Sequence, residues 1–133
     1  MIYVLDTNII SAILKGNEKV KNKAQSVIWE GKRVFINALS YYEIKRGLLA
    51  ANATTKLRKF ESLCNIFGLV FFNNQYIFDK AAEIYVYLKC NGKLLEDADI
   101  LIASLSISSN FILVTNDTDF DRIQELKVEN WLN

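Results

Sequence analysis

At 133 residues with a hydrophobic content of 51%, the chain is the size of one domain and can bury a proper core. Its net charge of +1 selects neither a nucleic acid nor a membrane as partner, and the absence of histidine removes Ser-His-Asp triads, Cys-His pairs and histidine-driven RNA cleavage. Apolar runs fall far short of the ~20 residues of a spanning helix, and the opening Met-Ile-Tyr-Val-Leu-Asp has no basic region, apolar run or cleavage site of a secretory signal, so the expected compartment is the cytoplasm.

In chain order, Ile2 to Leu5 is a short run of β-branched, aromatic and aliphatic residues stopped by Asp6-Thr7-Asn8, which predicts a strand feeding a helix. Glu18 to Glu30 carries Val20, Ala24, Val27 and Ile28 at helical spacing with lysines opposite, and Val34 to Ile36 reads as a second strand. Ser40 opens a helix to about Ala51, and Thr54 to about Asn65 forms another, with Leu57, Phe60, Leu63 and Cys64 as its apolar stripe. Leu69 to Phe72 is a third strand and Tyr76 to about Cys90 a helix with Ile77, Ala81, Ile84 and Leu88 on one side. After Asn91-Gly92, a helix from Asp97 to about Ser108 leads into a fourth strand, Phe111 to Val114, followed by a short helix near Phe120 to Leu126. Short apolar strands alternating with helices predict a three-layer α/β fold around a parallel sheet covered on both faces. No proline, linker or repeat marks a second unit, so residues 1–133 are expected to form one domain. Cys64 and Cys90 are too far apart for a CxxC pair and are expected as buried free thiols.

Function in such folds gathers at the carboxyl ends of the strands. Asp6 follows strand one, Glu43 lies on the helix after strand two, Asp97 and Asp99 begin a helix, and Asp117 and Asp119 follow strand four. Carboxylates brought to about 4 Å repel by roughly 4 kcal/mol per pair at an effective dielectric near 20. A fold that gathers them calls for a cation, and all-oxygen donors without histidine suit Mg²⁺ or Mn²⁺. Each acid also has a plain structural use. Asp6 is a natural helix cap, Ser40-Tyr41-Tyr42-Glu43 reads as a capping box, Asp97 and Asp99 complement a helix dipole, and Asp117 and Asp119 suit a turn.

Charge is distributed unevenly. From Lys15 to Lys59 there are eleven Lys/Arg against three acids, and from Phe60 to Asn133 five against eleven. A basic half beside an acidic half fits metal chemistry on a polyanion, and it also fits two ordinary solvated surfaces. No phosphate-cradling glycine motif follows a strand. An aspartyl phosphatase with Asp6 as nucleophile would want a second acid where Asn8 stands, and a non-catalytic receiver-like or metal-binding interaction module remains a further alternative.

The segments Ile2-Tyr-Val-Leu-Asp6-Thr7-Asn8, Ser40-Tyr-Tyr-Glu43-Ile-Lys-Arg-Gly47, Asp97-Ala-Asp99-Ile-Leu-Ile-Ala103, Val114-Thr115-Asn116-Asp117-Thr-Asp119-Phe120 and Val128-Glu-Asn-Trp131 together resemble PIN-domain proteins, and among them the VapC toxins of bacterial toxin-antitoxin pairs. The resemblance covers essentially the whole chain. It implies a PIN-like sheet of four or five strands and a Mg²⁺- or Mn²⁺-dependent endoribonuclease toxin holding one or two ions. Asp6, Glu43 and Asp99 match the three core carboxylates and Asp117 the fourth, less constant one. Thr7 and Thr115 match hydroxyl positions that orient the first carboxylate, Asp97 and Asp119 stand as helpers, and Lys45, Arg46 and the lysines of the Lys15 to Lys23 region are offered as phosphate contacts. The resemblance also implies homodimers, a structured RNA substrate, often a tRNA, and a VapB-type antitoxin blocking the acidic pocket. Ile9, Ile10, Ile13, Tyr41 and Tyr42 are available to a groove for it, or to the core.

Overall fold

The computed structural model describes residues 1–133. Its centre is a five-stranded, all-parallel sheet of β1 (Ile2–Leu5), β2 (Arg33–Asn37), β3 (Leu69–Val70), β4 (Ile112–Val114) and β5 (Val128–Glu129), in the order β3-β2-β1-β4-β5. Six helices connect them: α1 (Thr7–Leu14), α2 (Glu18–Trp29), α3 (Ala38–Ala50), α4 (Thr54–Phe67), α5 (Gln75–Cys90) and α6 (Asp97–Ser108). The expected three-layer α/β architecture is the one observed.

β1 is the middle strand, and its alternation divides the core. Tyr3 and Leu5 enter one cluster with Ile9, Ile10 and Ile13 of α1, Val20 and Val27 of α2, Ile44 of α3 and Phe60 of α4. Val4 enters the other, with Ala81, Ile84 and Leu88 of α5, Ile100, Ile102 and Leu105 of α6, and Phe120. Fully burying one such aliphatic side chain is worth about 1.5–3 kcal/mol, and the period-two split of a strand covered on both sides shares that gain between two faces. The sheet is therefore held between an α1–α4 layer and an α5–α6 layer. α6 is apolar nearly all round because it packs between α5 and the sheet; Ser104 and Ser106, both fully buried there, each donate a hydroxyl proton to a backbone carbonyl, of Ile77 and Ile102.

Register fixes the site edge. Leu5 pairs with Ile36 on one side and Val114 on the other, and the Asp6 N–H donates to the Val114 carbonyl at 2.9 Å, carrying the ladder one step further. Strand order reverses between β1 and β4, which is where a ligand crevice is expected in a sheet of this kind.

Four sequence expectations need correction. α3 begins at Ala38 rather than Ser40, and its cap is Asn37, whose side-chain oxygen accepts the Ser40 N–H at 2.9 Å; the capping box drawn from Ser40 to Glu43 is absent. β3 ends at Val70, two residues early, as an edge strand paired on one side only. The short helix after β4 is a 3₁₀ turn over Thr118–Arg122. Cys90 is exposed and Cys64 only half-buried, because Cys90 lies two residues beyond Leu88, off the α5 stripe that faces the core. Gly68 ends α4 at φ +84°, with the Phe35 ring 3.5 Å from the place a Cβ would occupy, a conformation costly to residues with side chains.

Candidate active site

Asp6 sits at the C-terminal end of the central strand and is only 6% exposed. One carboxylate oxygen accepts the Thr7 N–H at 2.9 Å and so caps α1. The other accepts the Thr115 hydroxyl at 2.8 Å and the Asn8 amide at 3.4 Å. The capping role anticipated for Asp6 is thus real, yet it uses one oxygen and leaves the group inside a cluster of acids. Burial raises the Asp6 pKa, the bonds from Thr115 and Thr7 oppose that, and the nearby charges of Glu43 and Asp117 push it up again.

Thr115 and Asn8 tie the two halves of the crevice together. The Thr115 oxygen accepts the Asp117 N–H at 3.1 Å and an Asn8 amide proton at 3.3 Å. The Asn8 oxygen accepts the Asn116 N–H at 3.0 Å. The start of α1 and the loop after β4 are thereby cross-linked directly behind Asp6.

Glu43 is held from the β2 side. The Asn37 amide donates to the Leu5 carbonyl at 3.0 Å and to the Ser40 hydroxyl at 2.9 Å. The Thr7 hydroxyl lies 2.9 Å from the Ser40 hydroxyl and 3.3 Å from a Glu43 carboxylate oxygen. A hydroxyl has one proton, so the orientation that satisfies every group runs Asn37 to Ser40 to Thr7 to Glu43. Glu43 is free of the capping duty that the sequence suggested for it. Asn37, fully buried, was missed by sequence reasoning, although an Asn-Ala-Leu-Ser run at the end of a strand is itself a cap signal.

Asp99 comes from the opposite layer, in the first turn of α6. It is half-buried and accepts no hydrogen bond from the protein. Burial first, then the charges of Asp6, Asp117, Glu96 and Glu43, raise it to about 6. Asp97, two residues earlier, is exposed and is not among the charges acting on Asp99. The pair after β4 separates in the same way. Asp117 acts on both Asp6 and Asp99 while capping the 3₁₀ turn through the Asp119 N–H; Asp119 turns to Arg122, 3.2 Å away. The structure therefore brings Asp6, Glu43, Asp99 and Asp117 into one electrostatic neighbourhood and leaves Asp97 and Asp119 at its margin. Among the predicted phosphate contacts, Arg46 lines a groove with Glu43 and Thr7, whereas Lys45 donates to the Tyr41 hydroxyl at 3.0 Å.

In this arrangement no three Asp, Glu or Cys side chains converge closely enough to hold a metal ion. The donors are nonetheless of the kind a hard divalent ion takes: they are carboxylate oxygens without nitrogen or sulfur, one is buried, and Asp99 is lifted by burial first and then by like charges that a cation would offset. Ile9, Ile10 and Ile13 belong to the core, and Tyr41 packs on Phe60 with ring centroids 5.5 Å apart. No helix is long and apolar enough to cross a membrane.

Residues 3–126 match the PIN domain family. The chain is 31% identical to ribonuclease VapC2 of Rickettsia felis over 137 aligned positions and 29% identical to ribonuclease VapC1 of Haemophilus influenzae over 135, covering 98% of both chains in each case. It superposes with a TM-score of 0.91 on the crystal structure of VapBC2 from Rickettsia felis bound to a DNA fragment from their promoter, at 26% identity, covering 98% of this chain and 99% of the other.

Proposed function

We infer the function from one premise: the chain belongs to the PIN domain family, alongside the ribonucleases named VapC. It is a divalent-metal-dependent endoribonuclease, a single domain over residues 1–133, that cleaves structured RNA such as tRNA in the cytoplasm and so inhibits translation. It is the toxin of a pair, held inactive by a VapB-type antitoxin, and it works as a homodimer. The observation that carries this reading is the meeting of Asp6, Glu43, Asp99 and Asp117 at the point where strand order reverses.

Those four carboxylates would hold one or two Mg²⁺ or Mn²⁺ ions, which supply a bound water acidified towards neutrality and charge neutralisation at the scissile phosphate. The chain's own residues do the rest. Thr115, Asn8 and the Thr7 amide fix both oxygens of Asp6 in one orientation. The Asn37-Ser40-Thr7 relay sets Glu43 from the other side. Asp99, without protein donors and raised to about 6, is the acid whose charge is least balanced by the protein itself. Arg46, beside Glu43 in the same groove, offers a planar cation to a phosphate of the substrate.

The test is to purify the chain free of any partner, add Mn²⁺ or Mg²⁺ and tRNA, and follow cleavage. Asp6→Asn and Asp99→Asn should cleave about 10²–10³-fold more slowly; equal cleavage by all three proteins would sink the reading.

A further inference from the structure

Five cations from the first half of the chain gather on one side of the site. Lys15, Arg46 and Lys56 line the groove of about 310 Å³ that contains Glu43 and Thr7. Lys15, just past the end of α1, also borders two adjoining grooves, one of which adds Lys21 and Lys59. Glu43 is the only carboxylate lining the three. None of these five cations is neutralised, since the ion pairs of the protein are Lys32–Glu30, Lys80–Glu125 and Arg122–Asp119. Arg46 is steadied by the Tyr42 ring, its guanidinium 5.0 Å from the centroid, which leaves its edge donors free. Beyond Asp6 the signs invert. The start of α6 and the 3₁₀ turn present Glu96, Asp97, Asp119 and Asp121 to solvent, and the one cation there, Arg122, is already paired.

We propose that the RNA is gripped asymmetrically: the strand on one side of the cut bond runs along the groove between α1, α3 and α4, with Lys15, Arg46 and Lys56 on its phosphates, and the strand on the other side is held hardly at all. The inference rests on the nuclease reading above and adds to it a direction and a set of residues. A polyanion entering the crevice meets unpaired cations on the α1–α4 side and an excess of carboxylates at the start of α6 and the 3₁₀ turn, of which only Asp119 is paired, so only one path gains from counterion release. An acidic protein segment would meet the same cations; continuity of the groove with Glu43 is what favours the backbone of the substrate.

The test uses the Asp99→Asn chain, which should cut slowly enough for binding to be followed, with labelled tRNA over a range of salt concentrations. Replacing Lys15 and Lys56 together by alanine should weaken binding about tenfold at low salt and flatten the plot of log affinity against log salt by about 1.4, at roughly 0.7 per phosphate contact on a single strand. Lys15→Arg should retain the slope and Lys15→Gln should not. Lys127→Ala, before β5 and hence at the opposite end of the sheet, should change neither quantity. Ethylation of single phosphates should interfere with binding on one side of the bond that the wild-type chain cuts. An unchanged slope in the double variant, or interference spread equally over both sides, overturns the proposal. If the wild-type chain cuts no RNA, the nuclease reading falls instead, and the salt slope still reports on the groove.

Discussion

The two faces of the sheet are built alike and charged oppositely. Each is covered by helices packed on alternate residues of β1. The α1–α4 side draws mainly on the stretch from Lys15 to Lys59, with eleven Lys/Arg against three acids, and the α5–α6 side mainly on Phe60 to Asn133, with five against eleven. Because β1 is central and α1 to α4 all precede α5, an imbalance along the sequence becomes an imbalance across the molecule. The four acids lie on the seam: Glu43 from the basic layer, Asp99 from the acidic one, Asp6 and Asp117 from the sheet edge between them. The candidate site is therefore a junction of two layers and can be broken from either side.

The largest break removes a seam acid. Glu43→Gln and Asp99→Asn should each lower the cleavage rate by about 10²–10³-fold, the usual scale for losing one preorganised electrostatic group. Asp97→Asn and Asp119→Asn, which remove charge from the acidic layer but outside the cluster, should stay within about threefold of wild type in the same assay. If all four behave alike, the separation of Asp99 from Asp97 is wrong.

A second break loosens the basic layer without touching charge. Asn37→Ala strips the Leu5 carbonyl, the Ser40 N–H and the Ser40 hydroxyl of their partner in a fully buried place. Stability measured by denaturant unfolding should fall by about 1–3 kcal/mol, and activity should fall further than stability accounts for, since the relay to Glu43 starts there.

The comparison also has a pH signature. Asp99 in the folded protein binds its proton more tightly, at about 6 against 3.8, so the stability it contributes is complete below pH 3.8 and is lost as pH rises to about 6. Burial of Asp6 acts in the same direction. The metal-free chain should therefore melt at a lower temperature at pH 7 than its Asp99→Asn variant, with the gap closing as pH falls towards 4. Adding Mn²⁺ at pH 7 should raise the wild-type midpoint more than that of the variant. A gap independent of pH would mean that burial and the neighbouring acids do not raise the Asp99 pKa.

Much of this was legible in the residues, for reasons that differ by element. Ile2 to Leu5 runs straight into Asp6, and Phe111 to Val114 is followed three residues on by Asp117, so both acids could be placed at the carboxyl edge of the sheet without coordinates. Glu43 was ambiguous because Ser40 and Asn37 are equally good caps three residues apart, and the choice depends on β2 running to Asn37, which long-range pairing with β1 decides. β5 has two residues, too few for any periodicity, and exists through its bonds to β4. Cys90 was misjudged because residue type predicts burial only on average, whereas the helix face settles it. Pairwise choices such as Asp99 over Asp97 depend on which carboxylate faces the others across the sheet edge, and spacing along one helix does not hold that information.

The smallest expected effect lies wholly within the acidic layer. Lys80 of α5 bonds both oxygens of Glu125 at 3.0 Å, the one ion pair there that joins a helix to the loop before β5. The carboxylate beside it raises the Lys80 pKa. Its geometry is good, yet the Glu125 side chain is 64% exposed, and exposed pairs are screened and bear the entropy of fixing two long side chains. Lys80→Ala should therefore cost under about 1 kcal/mol, shrinking further in high salt, and leave cleavage unchanged. The pair sits in a separate groove with Glu83 and Tyr87, away from the unpaired cations of the other face. If Lys80→Ala instead lowered RNA affinity as strongly as the Lys15 and Lys56 changes, the substrate would be reading both layers and the contrast between them would have no functional weight.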